Sequence, residues 1–154
     1  MSYDKTKSPP AIDHVRDLLE QGHPQDALKF IEHLGQKNPP TENARGVCLM
    51  RLGKVEQAVS VLRDVAFQGY VCMPSDTPVP YQINFAAAAL LANLKDAAMP
   101  ILNKLDAEEH PEVAQLKNAV RQWFQNLNFF QKCCCKVGIY PRKAVKIDFV
   151  PGMI

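Results

Sequence analysis

One spacing, repeated three times, constrains this chain more than any other feature. In the stretch Asn43–Val65, Gly53 closes one amphipathic helix, Ala58 follows five residues later, and Val65 stands seven residues after that. The same places hold Gly22, Ala27 and Leu34 upstream, and Asn93, Ala98 and Leu105 downstream. Glycine and asparagine are the residues that tolerate the left-handed backbone ending a helix. A small residue in the following helix lets two helices approach closely, and the larger residue beyond it fills the space beside the contact. Seven residues before each turn stand Val15, Gly46 and Ala86, and four before it Leu18, Leu49 and Ala89, one helical turn apart on one face. The pattern predicts a helical hairpin used three times.

The connections between hairpins vary, as surface connections can. Gly22 and Gly53 are 31 residues apart, Gly53 and Asn93 are 40. Pro39 and Pro40 stop one helix and start the next. Pro74, Pro78 and Pro80 exclude regular helix and predict an ordered, partly extended loop. Beyond the third unit, His110–Phe130 reads as one further helix, with an apolar stripe of Val113, Leu116, Val120, Trp123, Phe124, Leu127 and Phe130. Such a helix caps the exposed face of the last hairpin. From Val137 to Ile154 the helical period disappears. Ala144–Val150 alternates like a strand and ends at Pro151-Gly152. A lone strand must hang loose, lie extended along the domain, or pair with another chain.

Composition sets the frame. The 154 residues suffice for one domain with a real core, and 47% hydrophobic with 22% charged residues is ordinary for a globular chain. A net charge of +2 supplies no general field for nucleic acid or anionic membrane. The polar start MSYDKTKSPP reads as no signal peptide, and no run reaches the ~18 apolar residues of a membrane span. Five cysteines, three of them consecutive (Cys133, Cys134, Cys135), do not read as a secreted disulfide framework, so a reduced cytoplasmic setting is expected.

The residues Gly46, Leu49, Gly53 and Ala58, with Gly22 and Ala27 before them and Ala86 and Ala98 after, resemble the tetratricopeptide repeat family over roughly residues 10–106. The large aromatics usual in the first helix of that family are missing here, both repeat lengths differ from its ~34 residues, and Pro100 sits early in the last helix of the third unit. A looser helical-repeat relative is the alternative. The resemblance implies an all-α fold, an α-α superhelix of stacked helical hairpins with a C-terminal capping helix and an extended tail. The expected division is a repeat domain over residues 1–136, about seven helices, and a tail over 137–154.

The family's first helices line a concave surface. On the resemblance its inward positions are Ile12, Arg16 and Leu19, then Asn43, Val47 and Met50, then Ile83, Ala87 and Leu90. Only Arg16 and Asn43 are usefully polar, so a carboxylate clamp is not expected, whereas an apolar groove suits a peptide or helix. The implied activity is a non-catalytic adaptor or co-chaperone-like module, with another protein or peptide as partner. Two alternatives stand beside it: the chain's own tail covers the groove, or the tail joins copies into a homo-oligomer.

Catalytic chemistry is not expected. Cys133–Cys135 lack the two-residue spacing of structural zinc sites, and His14, His23, His33 and His110 lie far from them in sequence. A thiol-dependent redox protein, with thiolates favoured by Lys132 and Lys136, is the third reading. Lys132, Lys136, Arg142, Lys143 and Lys146, interleaved with Tyr140 and Phe149, read as solvated surface rather than a nucleic-acid contact. No metal, cofactor, nucleic acid or membrane is expected as a ligand.

Overall fold

Helix boundaries fall where turn and capping residues place them. The computed structural model describes residues 10–154, so the polar start read above as lacking a signal peptide lies, up to residue 9, outside the described residues. The helices are α1 (Pro10–Glu20), α2 (Pro24–Leu34), α3 (Pro39–Arg51), α4 (Val55–Phe67), α5 (Val79–Leu91), α6 (Lys95–Lys104), α7 (Pro111–Gln125) and α8 (Phe129–Lys136). The chain is all-α: among the described residues there are eight helices and no strand. No helix among them is long and apolar enough to cross a membrane. Proline opens α3 behind the Asn38 cap, whose side chain accepts from the Thr41 N–H at 3.0 Å.

The three turns share one hydrogen-bond pattern. Gly22, Gly53 and Asn93 all take the left-handed conformation, at φ +79°, +72° and +64°. In each, the following amide donates to a carbonyl five residues back: His23 to Leu18, Lys54 to Leu49, Leu94 to Ala89. The turn residue itself donates three back, to Leu19, Met50 or Leu90. These bonds satisfy the orphaned carbonyls of the helix ends. Each turn folds a second helix against the first, giving the pairs α1–α2, α3–α4 and α5–α6.

Small residues set how closely those pairs pack. Ala27, Ala58 and Ala98 are all fully buried, as are Val15 and Ala86 on the opposing helices. Gly46 on α3 lies so near α4 that a Cβ there would meet Leu62 at 2.4 Å. The hairpins then stack in chain order, α2 on α3, α4 on α5 and α6 on α7, while α1, α3, α5 and α7 touch in succession as one layer. That succession carries a core from Ile12 to Leu127.

Two elements differ from the sequence reading. The expected final helix, His110–Phe130, is broken: α7 ends at Gln125 and α8 starts after Asn128, so there is one helix more than the seven expected. The break follows from a capping box, in which the Asn128 side chain accepts from the Gln131 amide and Gln131 returns the bond to Asn128. Phe130, expected on the buried stripe, begins this new helix and is 75% exposed, while Val113, Leu116, Trp123 and Leu127 are buried as expected. Pro100 stays within α6, where its ring replaces an amide that would have bonded to Asp96.

Gly46→Val should lower unfolding stability by about 1–3 kcal/mol, because the added methyls meet Leu62 and neither backbone can retreat. Urea denaturation reads this directly, and an unchanged midpoint would contradict the close approach. A second test uses pH. Burial pushes the Cys48 thiol up from 9.0 to about 12, against the opposing pull of the Arg51 guanidinium. The folded state thus holds a proton that the unfolded state releases above pH 9.0. The neutral thiol's contribution is complete below that pH and is lost as the pH rises toward about 12. From this group alone, stability should fall by about 1.4 kcal/mol per pH unit in that window. Cys48→Ala should lack that part of the slope.

Candidate binding face and its occupant

The layer formed by α1, α3 and α5 puts one set of side chains on a common face, and the chain's own tail lies along it. From Tyr140 onward the tail is extended, and among the described residues it makes no backbone-to-backbone hydrogen bond. It is held by side chains that reach its main chain. Its course crosses the hairpins in reverse order, from α7 and α6 to α1.

The first anchor is at α6 and α7. The Trp123 indole donates to the Lys143 carbonyl at 2.7 Å, and Lys95 donates to the Pro141 carbonyl at 3.1 Å. Lys95 is buried, lies 5.1 Å from the Trp123 ring centroid, and also donates to the Asn93 side chain. Burial lowers its pKa, with Cys135 and Asp96 pulling the other way. The cation is thus neutralised by carbonyl dipoles and a ring face rather than by an ion pair. Asn93 in turn donates to the Arg142 carbonyl at 2.9 Å. That bond explains why the third turn carries asparagine where the first two carry glycine. Asparagine tolerates the left-handed backbone and brings a side chain for the tail.

The second anchor is built from α5, α3 and α1. Asn84, fully buried, pairs with both main-chain groups of Met153: its amide donates to the carbonyl at 2.7 Å, and its oxygen accepts from the N–H at 2.8 Å. Asn43 donates to the same carbonyl at 3.2 Å and accepts from Asn84 at 2.9 Å. Arg51 donates to the carbonyls of Pro151 and Gly152 at 3.3 and 3.2 Å, and to the Leu19 carbonyl at 3.0 Å. Arg16 donates to the Ile154 main-chain oxygen at 3.0 Å and pairs with Asp13. Among the described residues no buried side-chain nitrogen or oxygen lacks a partner.

All nine residues named from the sequence lie on α1, α3 and α5. Arg16 and Asn43 bond to the tail. Val47 and Met50 pack against it at Gly152, where a Cβ would meet them at 2.6 and 3.1 Å. Ile12, Leu19, Ile83, Ala87 and Leu90 are buried in the core. The expected apolar groove is therefore covered by residues 151–154, while residues 141–149 lie against α6 and α7. Sequence reasoning missed Asn84, Arg51, Lys95 and Gly152. The readable signal was Asn84 itself, a lone amide in the apolar run Ile83–Leu91 that must find a partner once buried.

The cysteine run occupies α8, with Cys133 exposed and Cys134 and Cys135 partly so. Burial, with Cys134 beside it, raises the Cys135 thiol, outweighing the pull of Lys95. That favours the protonated thiol over the thiolate nucleophile. Cys135 and Trp123 border a cavity of about 410 Å³ whose other walls include Leu102, Phe124 and Tyr140.

No family model matches this chain, and neither a curated protein nor a solved structure matches it. Fold and site thus define a class only: an all-α chain of stacked hairpins whose first helices grip an extended segment.

Asn84→Ala should strand the Met153 N–H, leave its carbonyl to Asn43 alone, and cost about 1–3 kcal/mol. Its coupling to Asn43→Ala in a double-mutant cycle should be nonzero, since the two amides share one carbonyl. Asn93→Gly should instead leave the turn sound and speed limited tryptic cleavage after Arg142 and Lys143, since the Arg142 carbonyl loses its partner. Unchanged cleavage there would show that Asn93 does not hold the tail.

Proposed function

We propose that this protein is a non-catalytic interaction module, adaptor or co-chaperone-like, of the tetratricopeptide-like superhelical kind, whose α1/α3/α5 face takes an extended segment of a protein partner. One observation carries the reading: Arg16, Asn43, Arg51 and Asn84, from three successive first helices, converge on the main chain of a single extended segment. Such bonds recognise a peptide as a peptide, leaving side-chain pockets to supply choice. The raised Cys135 thiol weighs against thiolate chemistry at that one residue. The cytoplasm is the proposed setting, in keeping with unbridged cysteines.

A second reading is self-assembly, with the tail of one copy on the face of another. It is favoured by the tail's lack of backbone pairing, since every bond that holds it would form equally well between chains.

The test is capture from native extract with the full-length chain and with Gly152→Val, which loosens the tail. A partner of the face should be enriched on the variant and should elute when a peptide of residues 144–154 is added in excess. Proteins that the peptide fails to displace sit elsewhere, and a full set of that kind defeats the reading.

A further inference from the structure

The way the tail is held defines what the face can accept. Pro151, Gly152, Met153 and Ile154 each offer a main-chain oxygen to Arg51, Asn84, Asn43 or Arg16. Those bonds are blind to side-chain identity. Selectivity comes in at Gly152, for two independent reasons. Its φ of +106° is a conformation that residues with a Cβ rarely adopt. A Cβ there would also press into Val47 at 2.6 Å and Met50 at 3.1 Å, both buried in α3. The next two residues, Met153 and Ile154, pack their side chains against the core. Val150, just before the gripped stretch, is 71% exposed and contributes no such restriction.

The tail is also arranged so that it can leave. α8 ends at Lys136, with Gly138 in the left-handed conformation and the Ile139 N–H bonded back to Cys134, and from Tyr140 onward no backbone-to-backbone bond joins the tail to the helices. Detaching residues 141–154 therefore breaks side-chain bonds and contacts but leaves every helix hydrogen-bonded.

Building on the proposed binding role, we propose that the α1/α3/α5 face is a receptor for extended segments carrying glycine followed by two apolar residues, and that Pro151–Ile154 is the intramolecular occupant which such a segment of a partner protein displaces. The partner is thus defined by chemistry: a flexible apolar segment with a glycine that meets Val47 and Met50. The tethered tail competes at the high effective concentration of an attached ligand.

The experiment uses the full-length chain, wild type and Gly152→Val, with two fluorescent peptides spanning residues 144–154. One peptide has the natural glycine and the other has valine in its place. The natural peptide should bind Gly152→Val at least about tenfold more tightly than it binds wild type, because the tethered competitor is weakened. The valine peptide should bind the variant at least about tenfold less tightly than the natural one. Circular dichroism and a cooperative melt verify that the helices persist. Should Gly152→Val not fold, Met153→Asp, which removes an apolar contact of the tethered tail and leaves the face itself unchanged, takes its place with the same peptides.

Each outcome decides something. If neither peptide binds any form, the face does not take segments in trans, and the proposed function falls together with this inference. If both peptides bind equally, the binding role stands and glycine selection is overturned. A wild-type dimer that the natural peptide dissociates would overturn the intramolecular occupancy, making the resident segment the tail of a second copy.

Discussion

The stacking of hairpins depends on how near their helices can come, and Gly46 is where that constraint is tightest. With no side chain on α3 at that point, Leu62 of α4 occupies the space a Cβ would take. Ala27, Ala58 and Ala98 do the same work one helix later in each unit. Close hairpins in turn bring α1, α3 and α5 side by side as a layer. Only then can Asn43 and Asn84, 41 residues apart in the chain, bond to one another and share a carbonyl. The face that holds the tail is thus a consequence of helix packing and belongs to no single hairpin.

Polar groups in that layer would be costly if left alone. Asn43 and Asn84 are 3% and 0% exposed, and an unbonded amide at such depth costs a few kcal/mol. The tail removes that cost by presenting the N–H and C=O of Met153 to Asn84, and its carbonyl to Asn43 as well. The same logic governs Lys95, whose ammonium finds a tail carbonyl and an indole face. An empty face would expose two asparagines, two arginines and apolar α3 side chains to water. It would remain wettable at its polar groups while losing the apolar contacts of Val145, Met153 and Ile154. The chain gains stability from covering the face, and its polar core groups set where the covering segment lies.

What could be read in the sequence follows from whether the signal was local. The left-handed turns at Gly22, Gly53 and Asn93 were legible because a turn's residue preference is decided within a few positions. The inward positions on α1, α3 and α5 came from the resemblance to the repeat family rather than from any local signal. The break between α7 and α8 was hidden because the apolar stripe runs on past it, while Asn128 and Gln131 act as a cap only when the helix has already ended. Arg51 was hidden for another reason. At the end of α3 it reads as a surface cation suited to the helix dipole, and its role depends on Pro151 and Gly152, 100 and 101 residues away.

The tail shows how a strand-like pattern without a partner strand can resolve. Ala144–Val150 alternates, yet it joins no sheet: Val145 is buried, and Ile147 and Phe149 pack on the core from the same side. In a sheet, the unused N–H and C=O groups would pair with a neighbouring backbone. Here asparagine, arginine, lysine and tryptophan side chains supply partners for the carbonyls instead. Side-chain donors reach further than a strand edge and impose no continuous register, so the segment is hydrogen-bonded at two separate anchors and held between them by the apolar contacts of Val145, Ile147 and Phe149. Main-chain recognition without a ladder asks little of the segment's sequence. It leaves glycine at position 152 as the residue where the face imposes a choice. A face that holds backbone at several points and meets one missing side chain at another would, under the proposed binding role, let affinity and selectivity rest on different groups.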